Sequence, residues 1–264
     1  MHSAWGRVGA GTWMRPDDKK GGRFGGLLGM LMATAGDSGQ GGWKVFDGLP
    51  SPSDVSQGAL GDCWFLGAVS ALAERPDLIK RLFITDEVNQ AGVYCVQLCK
   101  DGVWHHILVD DVFPTMVDGQ FAFSQPVKRQ LWVMILEKAM AKLHGSYQAL
   151  VAGTGDEALR TLTGFPIDTV RLEPDPNAEY STGSQMSGLD AELTWTKLQS
   201  YDEAGFVSVA SCGRSTQGGA AQVEFDAMGL ISSHVRARCP RFWAPSCVTL
   251  TFASPSICWA VCPS

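Results

Sequence analysis

The stretch Gln57-Gly58-Ala59-Leu60-Gly61-Asp62-Cys63-Trp64-Phe65-Leu66 constrains this chain more than any other. Two glycines, an aspartate and a cysteine stand immediately before an apolar run of Trp64, Phe65, Leu66, Val69, Leu72 and Ala73. That order predicts a tight loop feeding a buried helix over 62–73, with Asp62 as N-cap and Cys63 in the first turn. Unpaired N–H groups and the positive end of the helix dipole favour an anion at such a position, and a thiolate is a better nucleophile than a thiol. A nucleophilic sulfur still needs an acid–base partner and donors for an oxyanion. Gln57, on the same loop, carries an amide that can face an attacked carbonyl. The competing reading of Cys63 is a small apolar residue buried in a core.

With 264 residues, the chain holds one large domain or two small ones. Hydrophobic residues make up 45% and charged ones 18%, enough apolar mass for a packed core and too little charge for wholesale disorder. A net charge of −6 argues against a general nucleic-acid binder. The eight cysteines lack regular spacing in a chain too large to need staples, so a reducing compartment is expected. Leu27–Ala35 mimics a signal peptide after Lys19, Lys20 and Arg23, but it is short, internal and broken by glycine. No stretch is long enough to span a bilayer. Nothing in these patterns sets an oligomeric state.

In chain order, residues 1–42 are rich in glycine without a sustained period, and little stable structure is expected. A short helix is expected over Pro76–Phe83. Val93–Lys100 alternates like a strand, Asp101-Gly102 is a hairpin turn, and Val103–Asp110 returns. Adjacent His105 and His106 fall on opposite strand faces, which makes them poor joint ligands. Cys95 and Cys99 lack a second ligand pair at zinc spacing. Lys128–His144 repeats Leu131, Ile135, Ala139 and Leu143 at helical spacing and ends at Gly145. A further helix is expected over Asp156–Thr163, then a domain boundary at Gly164-Phe165-Pro166. Residues 171–190 read as a loop, Leu189–Ala204 as a helix, Phe206–Ala210 as a strand, Ser211–Ala221 as a loop and Met228–Arg236 as a strand.

The run from Gln57 to Leu66 closely resembles the nucleophile segment of the calpain family, papain-like cysteine proteases of the cytosol. Trp43–Gly48, Pro52–Val55, Glu74-Arg75-Pro76, Leu108–Pro114, Leu136–Ala139 and Lys142–Tyr147 also resemble calpain core segments. Trp13–Pro16 resembles the piece preceding that core, with 21–42 as an insertion. The likeness is dense over residues 43–166, thin over 167–236 and absent beyond.

The resemblance implies an α+β fold: a papain-like calpain protease core with a complete helical first lobe and an incomplete β-rich second lobe. The divisions expected are a flexible glycine-rich segment (1–42), a helical lobe with the nucleophile (43–165), a partial β-rich lobe with the histidine (166–236) and a divergent tail (237–264). It implies a cytoplasmic, calcium-dependent cysteine-type endopeptidase performing limited proteolysis of intracellular proteins. Cys63 would attack the carbonyl, and Gln57 with the Cys63 N–H would bind the oxyanion. His234 would act as base, since it follows Gly229-Leu230 at the family's interval, although Val235-Arg236-Ala237-Arg238 replaces the family's Ala-Tyr-Ser-Val. His144 matches a variable surface position of the family. Asp54 and Glu137 match calcium carboxylates of the family, and backbone carbonyls of Asp47–Pro50 would complete oxygen ligation suited to a hard cation. The structural alternative places Asp54 at a turn and Glu137 in solvent. No asparagine stands in the family's imidazole-orienting context, since the chain has only Asn89 and Asn177. The end of the chain thus reads as frameshifted, misspliced or truncated, with a genuine divergence as the alternative, and weak or no peptidase activity is expected. The second functional reading is an inactive calpain-like fragment that binds proteins.

Overall fold

Helix α1 (Cys63–Leu72) lies inside the core of the structure, a computed structural model that describes residues 8–16, 42–171, 191–211, 235–237 and 249–253. Trp64, Phe65, Leu66, Ala68, Val69, Ala71 and Leu72 of α1 are all buried. A helix apolar on nearly every side has to be enclosed by other elements. Phe65, Val69 and Leu72 have no exposure, and each fully buried side chain of this kind contributes about 1.5–3 kcal/mol. Helix α2 (Pro76–Lys80) starts on a proline, whose missing N–H costs nothing in a first turn. It is shorter than expected: Leu82 and Phe83 continue as turns, donating to the carbonyls of Ile79 and Lys80.

Strand β1 (Val8–Met14) runs antiparallel to β4 (Phe113–Met116), pairing Met14 with Phe113 and Val8 with Met116. Residues 8–14 thus differ from the expectation of little structure in residues 1–42, of which 1–7 and 17–41 lie outside the described residues. Gly9 and Gly11 erase the alternation that marks a strand, and the partner that supplies its hydrogen bonds is remote in sequence. Arg15 Nε lies 3.2 Å from Asp111 Oδ1 just beyond the strand. The hairpin of β2 (Val93–Lys100) and β3 (Val103–Asp110) has the expected register, with Lys100 opposite Val103 and Val93 opposite Asp110. Its turn holds Asp101 and Gly102 at φ 53° and 79°, the left-handed pair that a two-residue hairpin requires. Tyr94, Val96 and Leu98 point into the core, while His105 and His106 are exposed.

Helix α3 (Trp132–His144) begins four residues later than its sequence period suggests. Lys128 sits at φ 58°, and Arg129 to Trp132 are bonded to the 44–45 segment: Lys44 N–H donates to Arg129 O, and the N–H groups of Leu131 and Trp132 donate to Lys44 O and Val45 O. Gly145 ends the helix at φ 97°. Helix α4 (Gly155–Thr163) ends on Gly164 at φ 67°, as expected. Arg81 Nη2 donates to Thr163 O, and its guanidinium lies over the rings of Trp104 and Phe165, pinning α4 against the hairpin.

Beyond Pro166 lie β5 (Ile167–Arg171), helix α5 (Ala191–Glu203), β6 (Val207–Ser211), β7 (Val235–Ala237) and β8 (Thr249–Ala253). These strands form one antiparallel sheet in the order β5-β8-β6-β7. The divergent tail therefore supplies an interior strand, in which Thr251 pairs with Thr169 on one side and Val209 on the other. Asp168 of β5 accepts from Tyr201 Oη and pairs with Lys197 Nζ at 2.7 Å, tying α5 to the sheet. Helix α1 packs against β6 and β7, and α4 against β5, β6 and β8. Arg171 and Ser211 close strands where the loops 171–190 and 211–221 are expected to open, and the rest of those loops up to 190 and 221 lies outside the described residues, as do residues 228–234, His234 included, of the expected strand 228–236.

Candidate active site

The loop that leads into α1 is clamped to residues 121–125. Ala59 N–H donates to Ala122 O at 2.9 Å, and Gln125 N–H donates to Ser56 O at 2.8 Å. Gln125 Nε2 also donates to the carbonyls of Phe121 and Phe123. Gly58 permits this approach: a Cβ there would stand 1.7 Å from Phe123 O. On the other side Ala152 N–H donates to Gly61 O. Trp64 donates from Nε1 to Leu150 O at 2.8 Å, and its indole packs where a Cβ on Gly153 would come within 2.4 Å of the ring. His144 meets Trp64 edge-on and lies 3.8 Å from Glu157, while burial lowers its basicity. The loop is thus held from both sides, as a reactive position has to be.

Cys63 is the first residue of α1, half-buried and in no disulfide. The position is as expected, in the first turn and following Asp62 at the N-cap. Asp62 itself behaves differently from the expectation. Its backbone carbonyl accepts from Phe65 and Leu66, but its side chain makes no capping bond. The carboxylate is completely buried and faces two other groups. Gln57 Nε2 lies 3.5 Å from Asp62 Oδ1 and donates to Leu60 O at 2.8 Å. Glu137, on α3, is the other, and each of the two carboxyls alters the acidity of its neighbour.

Two carboxyls in contact inside a core need a shared proton. Asp62 Oδ2 has no hydrogen-bond partner among the described residues. Burial, first, and then the Asp62 charge push Glu137 well above the usual carboxylate range. Burial likewise raises Asp62, to about 6. Ser124 holds the far oxygen: its N–H lies 3.1 Å from both Glu137 oxygens and its Oγ donates to Oε2 at 2.7 Å. Sequence reasoning missed this pairing. Its one visible signal is Glu137 set between Val133, Met134, Leu136 and Met140 on a helix whose apolar residues leave it no way to solvent.

The two carboxylates expected to hold calcium are engaged with other groups. Asp54 closes a capping box on the 3-10 turn Pro52–Asp54, accepting Ser51 N–H at 2.9 Å. Glu137 is buried rather than in solvent and is committed to Ser124 and Asp62. The two carboxylates answer to different partners. Among the described residues no group of three or more His, Cys, Asp or Glu side chains could hold a metal. The structure therefore brings Gln57, Asp62 and Glu137 together, with Cys63 next to Asp62 in the chain, leaves Asp54 with Ser51, and describes nothing of His234.

Residues 12–237 match the calpain family of cysteine proteases. The calpain-type cysteine protease DEK1 of Arabidopsis thaliana is 35% identical over 223 residues, which cover 84% of this chain and 9% of that protein. DEK1 of Zea mays is 41% identical over 164 residues, covering 62% and 7%. The calpain-1 catalytic subunit of Sus scrofa is 37% identical over 141 residues, covering 52% and 20%. The chain thus spans a tenth or less of the length of the plant relatives and a fifth of the mammalian one, and β8 lies past the matched residues. With most of its length matched, and with a cysteine opening a buried helix behind a glycine loop, this chain belongs to the calpain family of cysteine proteases.

Proposed function

We propose that this chain performs calpain-type endopeptidase chemistry on protein substrates, with Cys63 as nucleophile. The observation that carries this reading is Cys63 opening α1 with the Gln57 amide nitrogen held on the same clamped loop. The Cys63 thiol gives its proton to the His234 imidazole, the thiolate attacks the peptide carbonyl carbon, and the carbonyl π electrons move to oxygen. The Gln57 amide and the Cys63 N–H receive that oxyanion. Collapse of the tetrahedral species expels the amine, which takes its proton from the imidazolium of His234, the residue proposed as base. Water then attacks the thioester, gives its proton back to the imidazole and frees Cys63. The papain-like division into a helical lobe (43–165) and a β-rich lobe (166–236) is part of this proposal. Support comes from helices α1 to α4 falling in the first span, beside strands β2 to β4, and from β5 and β6 with helix α5 in the second, which β7 overruns by one residue.

Calcium dependence and a cytoplasmic location belong to the same proposal. The thiols of Cys63, Cys95 and Cys99, none of them in a disulfide, support a reducing compartment. Calcium rests on the family likeness, without support from Asp54 and Glu137 as they are arranged. No helix among the described residues is long and apolar enough to cross a membrane.

One observation favours the second reading, a protein-binding fragment without catalysis. Asn89 is locked into the turn before β2, bonding Val93 through both ends of its amide, and Asn177 lies outside the described residues. Without an oriented imidazole, turnover falls by orders of magnitude. The test is casein cleavage by the purified chain, with calcium and with chelator, beside a Cys63→Ala control. Slow cleavage abolished by Cys63→Ala supports the enzyme, and its arrest by chelator supports calcium. A folded chain showing no Cys63-dependent cleavage supports the binding reading.

A further inference from the structure

The hairpin of β2 and β3 has two edges, and they are not alike. Lys100 and Val103 flank a two-residue turn with both of its residues left-handed, so this pair exchanges both of its backbone bonds. The exchange recurs at every second pair. It leaves the backbone groups of Cys95 and Gln97 pointing out of one edge, and those of Trp104, His106 and Leu108 out of the other. The β2 edge is covered: Ile84 and Thr85 N–H donate to Cys95 O at 2.9 and 3.1 Å, and Gln97 N–H donates to Leu82 O at 2.8 Å. The β3 edge has no strand beside it among the described residues. There the ammonium of Lys142, from the last turn of α3, donates to Leu108 O at 2.7 Å.

A groove of about 430 Å³ opens between residues 108–110 of this edge and α3. Leu108, Val109 and Ala141 give it apolar walls, and Lys138, Lys142 and Asp110 supply its charges. Lys138 is paired with Asp110 at 2.5 Å, so the groove keeps one positive charge, that of Lys142, which faces a carbonyl and no carboxylate among the described residues. Charged side chains commonly guard a bare strand edge. One lysine on one carbonyl guards little of this one, where Val103 and Leu108 are 58% and 55% exposed and His105 and His106 are exposed as well.

We propose that the free edge of β3 is a docking site for an extended acidic segment of a partner protein. The segment adds a strand along residues 104–108 and takes the place of the Lys142 ammonium on Leu108 O. It seats an apolar side chain in the groove and pairs a carboxylate with the freed ammonium. The backbone bonds supply affinity, and the lysine selects the charge. A second copy of the chain fits less well, because two paired β3 edges would set Lys142 and the histidines against their own likeness. Binding there does not depend on the chemistry of Cys63.

Amide NMR of the purified chain, titrated with the acetylated peptide Glu-Val-Glu-Glu-Val-Glu-Val to about millimolar concentration, reads the site. The amides of Trp104, His106 and Leu108 should shift, while those of Cys95 and Gln97 on the covered edge should not. The acidic peptide should bind about fivefold tighter than its glutamine counterpart, the contribution of one partly exposed ion pair. Lys142→Met should erase that preference. His106→Pro removes an edge N–H that β2 does not use, so it should abolish binding with the melting temperature little changed. If the proline variant does not fold, two N-methylated peptides decide. Methyl groups on alternate residues should abolish binding in one phase and spare it in the other, since only every second N–H of an added strand faces β3. Absence of shifts at 104–108 overturns the proposal, as does equal binding of the acidic and glutamine peptides or of the two methylated forms. A dimer in sedimentation that His106→Pro dissolves also overturns it, since the edge then belongs to a second copy.

Discussion

Replacing Glu137 by glutamine should stabilise the protein progressively as pH rises. The folded Glu137 carboxyl is held well above its ordinary value of 4.5 by burial and by the neighbouring Asp62 charge. In the unfolded chain it ionises near that ordinary value. Between the two, the folded state binds the extra proton, so stability is greatest below the unfolded value and is lost as pH rises toward the folded one. Each pH unit over which the folded group keeps its proton while the unfolded one does not costs about 1.4 kcal/mol. Asp62, raised by burial from 3.8 to about 6, adds a loss of the same sign. In Glu137→Gln the amide N–H can donate to Asp62 Oδ2 and its carbonyl can accept from Ser124, so the geometry survives and the titration does not. Urea unfolding of both proteins, from pH 4.5 to 7.5 at fixed ionic strength, measures the difference. The variant should gain on the wild type by about 1.4 kcal/mol per pH unit over the range in which the folded Glu137 holds its proton. A difference that stays flat with pH would show Glu137 ionised in the folded protein, and the shared-proton account of the pair would be wrong.

Three further perturbations test the scaffold. Gly58→Ala puts a methyl group 1.7 Å from Phe123 O, so the clamp on the nucleophile loop must open. A loss of about 3 kcal/mol is expected in thermal unfolding, at the upper end of overpacking costs, and an unchanged melting temperature would contradict the loop geometry. Trp64→Phe removes the donor to Leu150 O at a buried site. It should cost about 1–3 kcal/mol, measured by urea midpoint. Deleting residues 249–264 removes β8 from between β5 and β6. The shortened chain should melt earlier and aggregate through the exposed strand edges, as light scattering would show. Equal stability and solubility would mean that β8 contributes nothing to the sheet.

What the sequence reveals here is what local chemistry decides. The hairpin over 93–110 is legible because alternation and an Asp-Gly turn occur within one short segment. The ends of α3 and α4 are legible because Gly145 and Gly164 occupy left-handed positions. Cys63 at the head of α1 follows from glycines and an aspartate placed before an apolar run. Tertiary pairing hides the rest. The start of α3 is delayed by bonds to Lys44 and Val45. Strand β1 exists because β4 supplies its partners. Strand β8 falls in a tail without family pattern, yet its backbone completes the sheet. Glu137 reads as a ligand or a solvent residue until the fold sets it against Asp62, and no spacing rule connects those two positions.

The most direct test of the nucleophile assignment is the order in which the eight cysteines are alkylated. Purified, reduced chain would be treated with limiting iodoacetamide at neutral pH and digested, and each cysteine peptide quantified by mass spectrometry. Cys63, half-buried at the N-terminus of α1, should be labelled ahead of Cys95, Cys99 and the five cysteines of residues 212–262. Labelling of all eight at similar rates, or of Cys63 last, would contradict the placement of a nucleophilic sulfur at the head of that helix.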